Sequence, residues 1–427
     1  MTKNKFAIAL FAIAGMLMFV YFINQKNDGL VSGVFEKAYV AVEGSGEIAV
    51  INTKTNQVIK RIDLSEDKNG MTAGYMPHNV QVAPDNKSVW VTANADDEKM
   101  KMSFRLIPKA EADEGHGEET FAGKNNDEVI VIDPFSDTIV KRIELGQDLH
   151  LSHVALTSDS AYAVVASQEK GIVYKINTSS FEVEKETVTK KGGEPHGLRI
   201  SPDDTTAYIA MLGGKSLGIL DITSFELRDV PLKGAVVQTG VTPDGKYALA
   251  SVYDAKSLAV YDTASTKLSY IDLPKEAKGP VQLYPTPDSR FVFVADQGYY
   301  FEQPDGDTVY KIDLQEMKVA QAIKGGSAPH GVIVSKDGKF AYITNLKSDD
   351  VSVIDTIQGK EITKIKVGKT PNGISLWYGE GVNGGISISN KMNNSELVFS
   401  EKTFDFGVVS MAKGKVSHPF TVKNAGT

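Results

Sequence analysis

Beyond residue 30 the hydrophobic pattern never settles into a helical period. It breaks into short runs such as KFAYITNL, VSVIDTIQGK and EITKIKVG, between Lys339 and Gly368. Each run is rich in Val, Ile, Thr and Tyr and is bounded by Gly, Asp, Asn or Ser, the composition of short strands. Tetrapeptides of the SPDG kind supply tight turns, because Pro presets φ and Asp and Gly suit the following positions. No long amphipathic helix appears in this region, which excludes a helical solenoid.

The runs repeat. MPHNVQVAPDN, LSHVALTSDS, EPHGLRISPDD, VVQTGVTPDG, PVQLYPTPDS, APHGVIVSKDG and TPNGISLWYGEG mark seven units. Their key residues are His78, His153, His196, Gln238, Gln282, His330 and Asn372, at steps of 75, 43, 42, 44, 48 and 42. A period near 42 with three further strands per unit matches four-stranded propeller blades. Three strands precede the first marker, and one lone strand, GISLWYG, follows the last. The count closes if the last strand completes the first blade, which also protects the sheet edges. The fold class is therefore all-β, a seven-bladed propeller over residues 36–381.

AYVAVEGSGEIAVINTKTNQVIKRIDL and FAYITNLKSDDVSVIDTIQGKEITKIKVGKTPNGI resemble the YVTN family of propeller repeats. That family in turn is similar to surface-layer repeats, lactonase-like propellers and the haem-d domain of nitrite reductases. The resemblance implies a propeller fold, with the marker strand innermost and the key residues on the rim of the channel. It is weak for activity, because propellers host unrelated functions.

Outside the ring, MTKNK and the uncharged run from Phe6 to Ile23 read as an uncleaved signal anchor within residues 1–29. No small-x-small cleavage site follows it, and a cleaved secretion signal is the alternative. The lysines before the run place the propeller outside the cytoplasm, at the periplasm or cell surface, with the membrane as a partner. Residues 382–394 form a Gly/Asn/Ser linker. Residues 395–427 carry FDFG and VSHPFTVKNAG, which resemble the opening strands of a bacterial Ig-like module, with His418 on a surface strand.

Composition narrows the chemistry. The formal net charge of −8 and the lack of a basic stripe argue against nucleic acid as a partner. With no cysteine, disulfides, thiolate ligands and covalent c-type haem are excluded. No GxSxG, HExxH, phosphate-loop or calcium-loop pattern is present. Two long loops, Ala95 to Glu128 and Gln297 to Asp307, fall between second and third strands and are expected on the marker face.

Two readings of the rim stay open. The polar side chains can serve neighbouring backbone and channel water, as the PHG and PNG turns of such repeats do without known chemistry. Alternatively His78, His153 and His196, on consecutive blades, share copper or zinc, with His116 of the first long loop above them. Binding is then expected to fall below about pH 6, where free imidazole protonates. Arg199 is expected on the far face of its strand, away from His196. The leading expectation is a non-enzymatic binding or scaffold module, taking a protein or small-molecule ligand on the histidine rim. The alternative is a lactonase-like hydrolase or a copper- or haem-d-type carrier.

Overall fold

The computed structural model describes residues 36–68, 71–96, 124–299, 303–379, 397–399 and 422–424. Contacts divide the chain into two compact units, Met1–Gly381 and Val382–Thr427.

In the first unit, seven four-stranded antiparallel sheets succeed one another. Blades 2 to 7 begin with Tyr75–Val82, Leu151–Leu156, Pro195–Ile200, Val236–Val241, Pro280–Pro285 and Pro329–Val334. Blade 1 is composite. Lys37–Val42, Glu47–Asn52 and Gln57–Asp63 come from the start of the ring, and Pro371–Trp377 supplies the fourth strand from its end. Lys37 lies opposite Trp377 and Val42 opposite Pro371, so the ring closes as the strand count requires. The first strands of successive blades touch one another and line the channel.

The inner strands are apolar on both faces because every blade is covered on both sides. Ala38, Val40 and Val42 pack into a cluster with Val351 and Val353 of blade 7. The alternate residues Tyr39 and Ala41 pack with Val80, Val89 and Val91 of blade 2. The same division repeats around the ring, so the core is a set of inter-blade layers. Each buried Val, Ile or Leu contributes about 1.5–3 kcal/mol. Turns are specified locally as well. The third-to-fourth turn of every blade rests on one Asx side chain accepting backbone N–H groups: Asn52, Asp133, Asn177, Asp221, Asp262, Asp313 and Asp355.

Both long loops leave from the marker face, since Ala95 is opposite Tyr75 and Asp296 is opposite Pro280. An additional hairpin, Glu66–Lys68 with Met71–Ala73, follows the outer strand of blade 1 on that same face. Its Lys68 reaches the fully buried Glu128, which also holds Arg142 at 2.9 Å and Tyr75 Oη at 2.6 Å. Residues 97–123 of the first loop, with His116, lie outside the described residues.

The expected membrane helix over residues 6–23 also lies outside them. Among the described residues no helix is long and apolar enough to cross a membrane. In the second unit, Leu397–Phe399 pairs antiparallel with Val422–Asn424. An Ig-like sandwich is not seen among the described residues, and His418 lies outside them.

Candidate functional site

The channel mouth is built by the first residues of the inner strands. A residue in the left-handed region precedes the strand in four blades: His150, Glu194, Ala328 and Thr370, with φ from 48° to 54°. This kink drops the chain into the channel and turns the next side chains inward. A bulge follows in each of these strands, between residues such as Pro195 and Leu198.

The bulge splits the seven markers into two positions, which corrects the single rim position read from sequence. Pro195 and Leu198 pair as Leu151 and Val154 do, so His196 corresponds to Ser152 and Gly197 corresponds to His153. His78, His196, His330 and Asn372 occupy the first position. His153, Gln238 and Gln282 occupy the next one. Glycine follows His196 because Gln238 lies against it: a Cβ on Gly197 would sit 2.0 Å from Gln238 Oε1. The glycine of this PHG turn is thus a consequence of close approach between neighbouring strands.

The structure brings the three predicted ligands together. Ring centroids are 5.9 Å apart for His78 and His153, 5.4 Å for His78 and His196, and 5.2 Å for His153 and His196. One ring nitrogen from each lies within 4.8 Å of the others, and all three side chains are buried. Tetrahedral ligands at about 2.0–2.1 Å from zinc stand roughly 3.3 Å apart, so the rings must close inward to share an ion. His150 is a fourth imidazole that sequence reading missed; its ring is 5.6 Å from that of His78. The signal for it was DLHLSH, with two histidines three residues apart.

Each rim imidazole uses Nδ1 on the wall. His196 Nδ1–H donates to Val237 O at 2.8 Å, which leaves the Nε2 lone pair toward a ligand. His153 Nδ1 is 3.4 Å from Gln238 Nε2, and Gln238 Oε1 accepts Thr239 N–H at 2.9 Å. Here the amide donates to the ring, so seating an ion on His153 Nε2 requires a tautomer change and a turn of that amide. His153 Nε2 is buried with no hydrogen-bond partner. His330 Nδ1 meets Gln297 Nε2 at 2.6 Å, which ties the second long loop to the rim. Asn372 Nδ2 bridges Glu43 at 2.7 Å and His78 Nδ1 at 3.2 Å. Gln282 is buried at the rim with its amide nitrogen unpartnered, and it joins no histidine pair given by these contacts.

The mouth is electrostatically reluctant to hold protons. Burial pushes His196 and His150 down to about 4, and His330 to about 3, with the His196 charge adding to the effect on the latter two. Burial lowers His78 and His153 well below the ordinary value, and neighbouring imidazoles add to it. Burial pushes the Glu43 carboxyl up to about 7, partly offset by Asn372. These values correct the expected loss of ligating imidazole near pH 6. In the folded protein His150 and His196 stay neutral to nearly pH 4, and the other rings also resist protonation well below the ordinary range.

Arg199 is also corrected. The bulge inserts one residue, so Arg199 returns to the channel side, where its charge acts on His153 and on Tyr284 of blade 6. Glu43, Arg199 and the imidazoles therefore line one channel.

Comparison with known proteins agrees with this architecture. Residues 301–380, covering the end of blade 6, blade 7 and the closing strand, match the YNCE-like beta-propeller family model. An uncharacterized protein of Staphylococcus epidermidis is 25% identical over 228 residues, 49% of this chain; the match spans 64% of that relative's length. Among solved structures, Kuenenia stuttgartiensis hydrazine synthase superposes with a TM-score of 0.57 at 18% identity, over 74% of this chain and 90% of that one. A functionally unknown protein from Desulfotomaculum acetoxidans gives 0.60 at 14% identity, over 80% and 99%. Virginiamycin B lyase from Staphylococcus aureus gives 0.54 at 14% identity, over 70% and 87%. At these identities the likeness concerns the fold. The chain is a seven-bladed β-propeller, similar through its last blade to the YNCE-like beta-propeller family.

Proposed function

We propose that this propeller is a non-enzymatic binding module whose channel mouth holds one transition-metal ion, copper or zinc, on His78, His153 and His196. The observation that carries the reading is the meeting of three buried, neutral imidazoles from consecutive blades, with ring nitrogens within 4.8 Å. Neutral imidazole suits these metals. The Val237 carbonyl behind His196 is the kind of outer partner that orients a ligating imidazole, whereas His78 Nδ1 accepts from Asn372 Nδ2, which Glu43 also holds, so His78, like His153, must change tautomer to offer Nε2 to the ion. The uncharged run over residues 6–23 supports a membrane-anchored, extracytoplasmic setting for the module. Metal analysis of the purified chain and titration with copper and zinc test the reading. One equivalent bound per chain supports it, and no saturable binding rejects it.

A second reading, a lactonase-like hydrolase, is favoured by one observation. Such chemistry needs a carboxylate, an arginine and a histidine together, and Glu43, Arg199 and His153 share this channel. Lactone hydrolysis that disappears in Arg199→Met would establish it over the first reading.

A further inference from the structure

A second concavity opens on the marker face, away from the histidines. It encloses about 510 Å³ between the entry and second-to-third loops of blades 4 and 5 and the start of blade 6. That size falls within the range of small-molecule sites. Leu212, Ala235 and Tyr253 give it an apolar lining, and Lys215, Lys256 and Lys278 reach it from consecutive blades. Gln303, from the second long loop, closes one side.

The charges in this cleft do not cancel. Lys215 lies 3.8 Å from Asp254, whose carboxylate also accepts Ala235 N–H at 2.8 Å. Glu194 sits at the cleft with its carboxyl raised by burial, then by the charge of Glu169. Lys256 and Lys278 are both half-buried, and among the described residues neither ammonium group has an ion-pair or hydrogen-bond partner. Asp296 feels both charges, but its oxygens are taken by the N–H groups of Lys278 and Gly279. Half-buried lysines without partners cost stability, and an anion between them relieves that cost.

We propose that this cleft binds a small organic anion, with Lys256 and Lys278 on its charged head and Leu212, Ala235 and Tyr253 against its apolar body. The site is separate from the histidine mouth and does not depend on a metal there. The apolar lining distinguishes the ligand from a bare inorganic ion, and the two lysines distinguish it from a neutral one.

Calorimetric titration of the full chain at low salt tests this with four probes: phenylacetate, phenyl phosphate, benzyl alcohol and inorganic phosphate. Phenylacetate or phenyl phosphate is expected to bind, and Lys256→Met/Lys278→Met to weaken that binding at least about tenfold, the loss expected for hydrogen bonds to charged groups. Methionine keeps the apolar stem, so the thermal midpoint of the double variant should stay level or rise. Binding unchanged in the double variant, or no binding by either organic anion, overturns the proposal. Inorganic phosphate binding as tightly as phenyl phosphate overturns the organic part of the assignment, and benzyl alcohol binding equally well overturns the anionic part.

Discussion

The imidazole of His196 and the carbonyl of Val237, on neighbouring blades, are joined at 2.8 Å. A carbonyl only accepts, so the proton sits on Nδ1 of His196 and the other ring nitrogen faces the channel as a lone pair. One backbone group thus sets both how the ring is aimed and what it can bind.

The glycine beside it makes a prediction about packing. Gly197→Ala puts a methyl group onto Gln238, whose oxygen is held by Thr239 N–H. Destabilisation of about 1–3 kcal/mol is expected, the usual range for overpacking. Gln238→Ala removes the side-chain part of the obstruction and leaves the Gln238 Cα, 2.7 Å from the added Cβ, so the double variant should recover part of the loss in a denaturant cycle. Strict additivity of the two changes would show that the Gln238 side chain is not what Gly197 accommodates.

Stability should fall on mild acidification. Five buried histidines, His78, His150, His153, His196 and His330, have folded values below the ordinary 6.5. Between pH 6.5 and about 4 the unfolded chain takes up protons that the folded chain refuses, and each such group costs about 1.4 kcal/mol per pH unit. Glu43 opposes this. Its folded value of about 7 lies above the ordinary 4.5, so it adds stability as pH falls through that window. Glu36, Asp127, Glu194 and Asp296 are also raised by burial and act in the same direction, but from ordinary values of 3.8 and 4.5 at the lower end of this window, so between pH 7 and pH 5 the five imidazoles prevail. Denaturant midpoints should drop from pH 7 to pH 5, and less steeply in His330→Gln. A midpoint independent of pH would contradict the neutral cluster.

Ring closure depends on Trp377. It is the last residue of the closing strand, lies opposite Lys37, and donates its indole N–H to Asn86 O at 2.8 Å. Trp377→Ala should cost about 3–5 kcal/mol, and a chain ending before Pro371 should fail to unfold cooperatively. Calorimetry distinguishes these outcomes from a ring held by its other blades alone.

The sequence disclosed what depends on counting. Seven markers and one surplus strand before Gly381 suffice to deduce the closed ring, because each blade is specified by local turns and alternation. It also disclosed that His78, His153 and His196 fall on consecutive blades. It did not disclose the two marker positions, because a bulge changes facing without changing composition. The clue lay in spacing: the turn begins five residues after His196 but four after His153. The same bulge hid the facing of Arg199. Glu43 and His150 were missed because they belong to loops, a second-to-third connection of blade 1 and the entry to blade 3, whose approach to the channel only the tertiary fold determines.

The central claim is tested most directly by titrating copper and zinc into the wild-type chain and into His196→Gln, at pH 7 and pH 5. Glutamine retains an amide N–H that can serve Val237, and an amide already occupies the same rim position at Asn372, so the variant should remain folded. One tight site is expected in the wild type at both pH values, because burial holds His196 down to about 4 and His78 and His153 well below the ordinary range. A loss of at least about 100-fold is expected in the variant, since an amide is a poor substitute for imidazole. Equal and weak binding by both proteins would contradict the claim and leave the rim histidines as hydrogen-bonding parts of the wall.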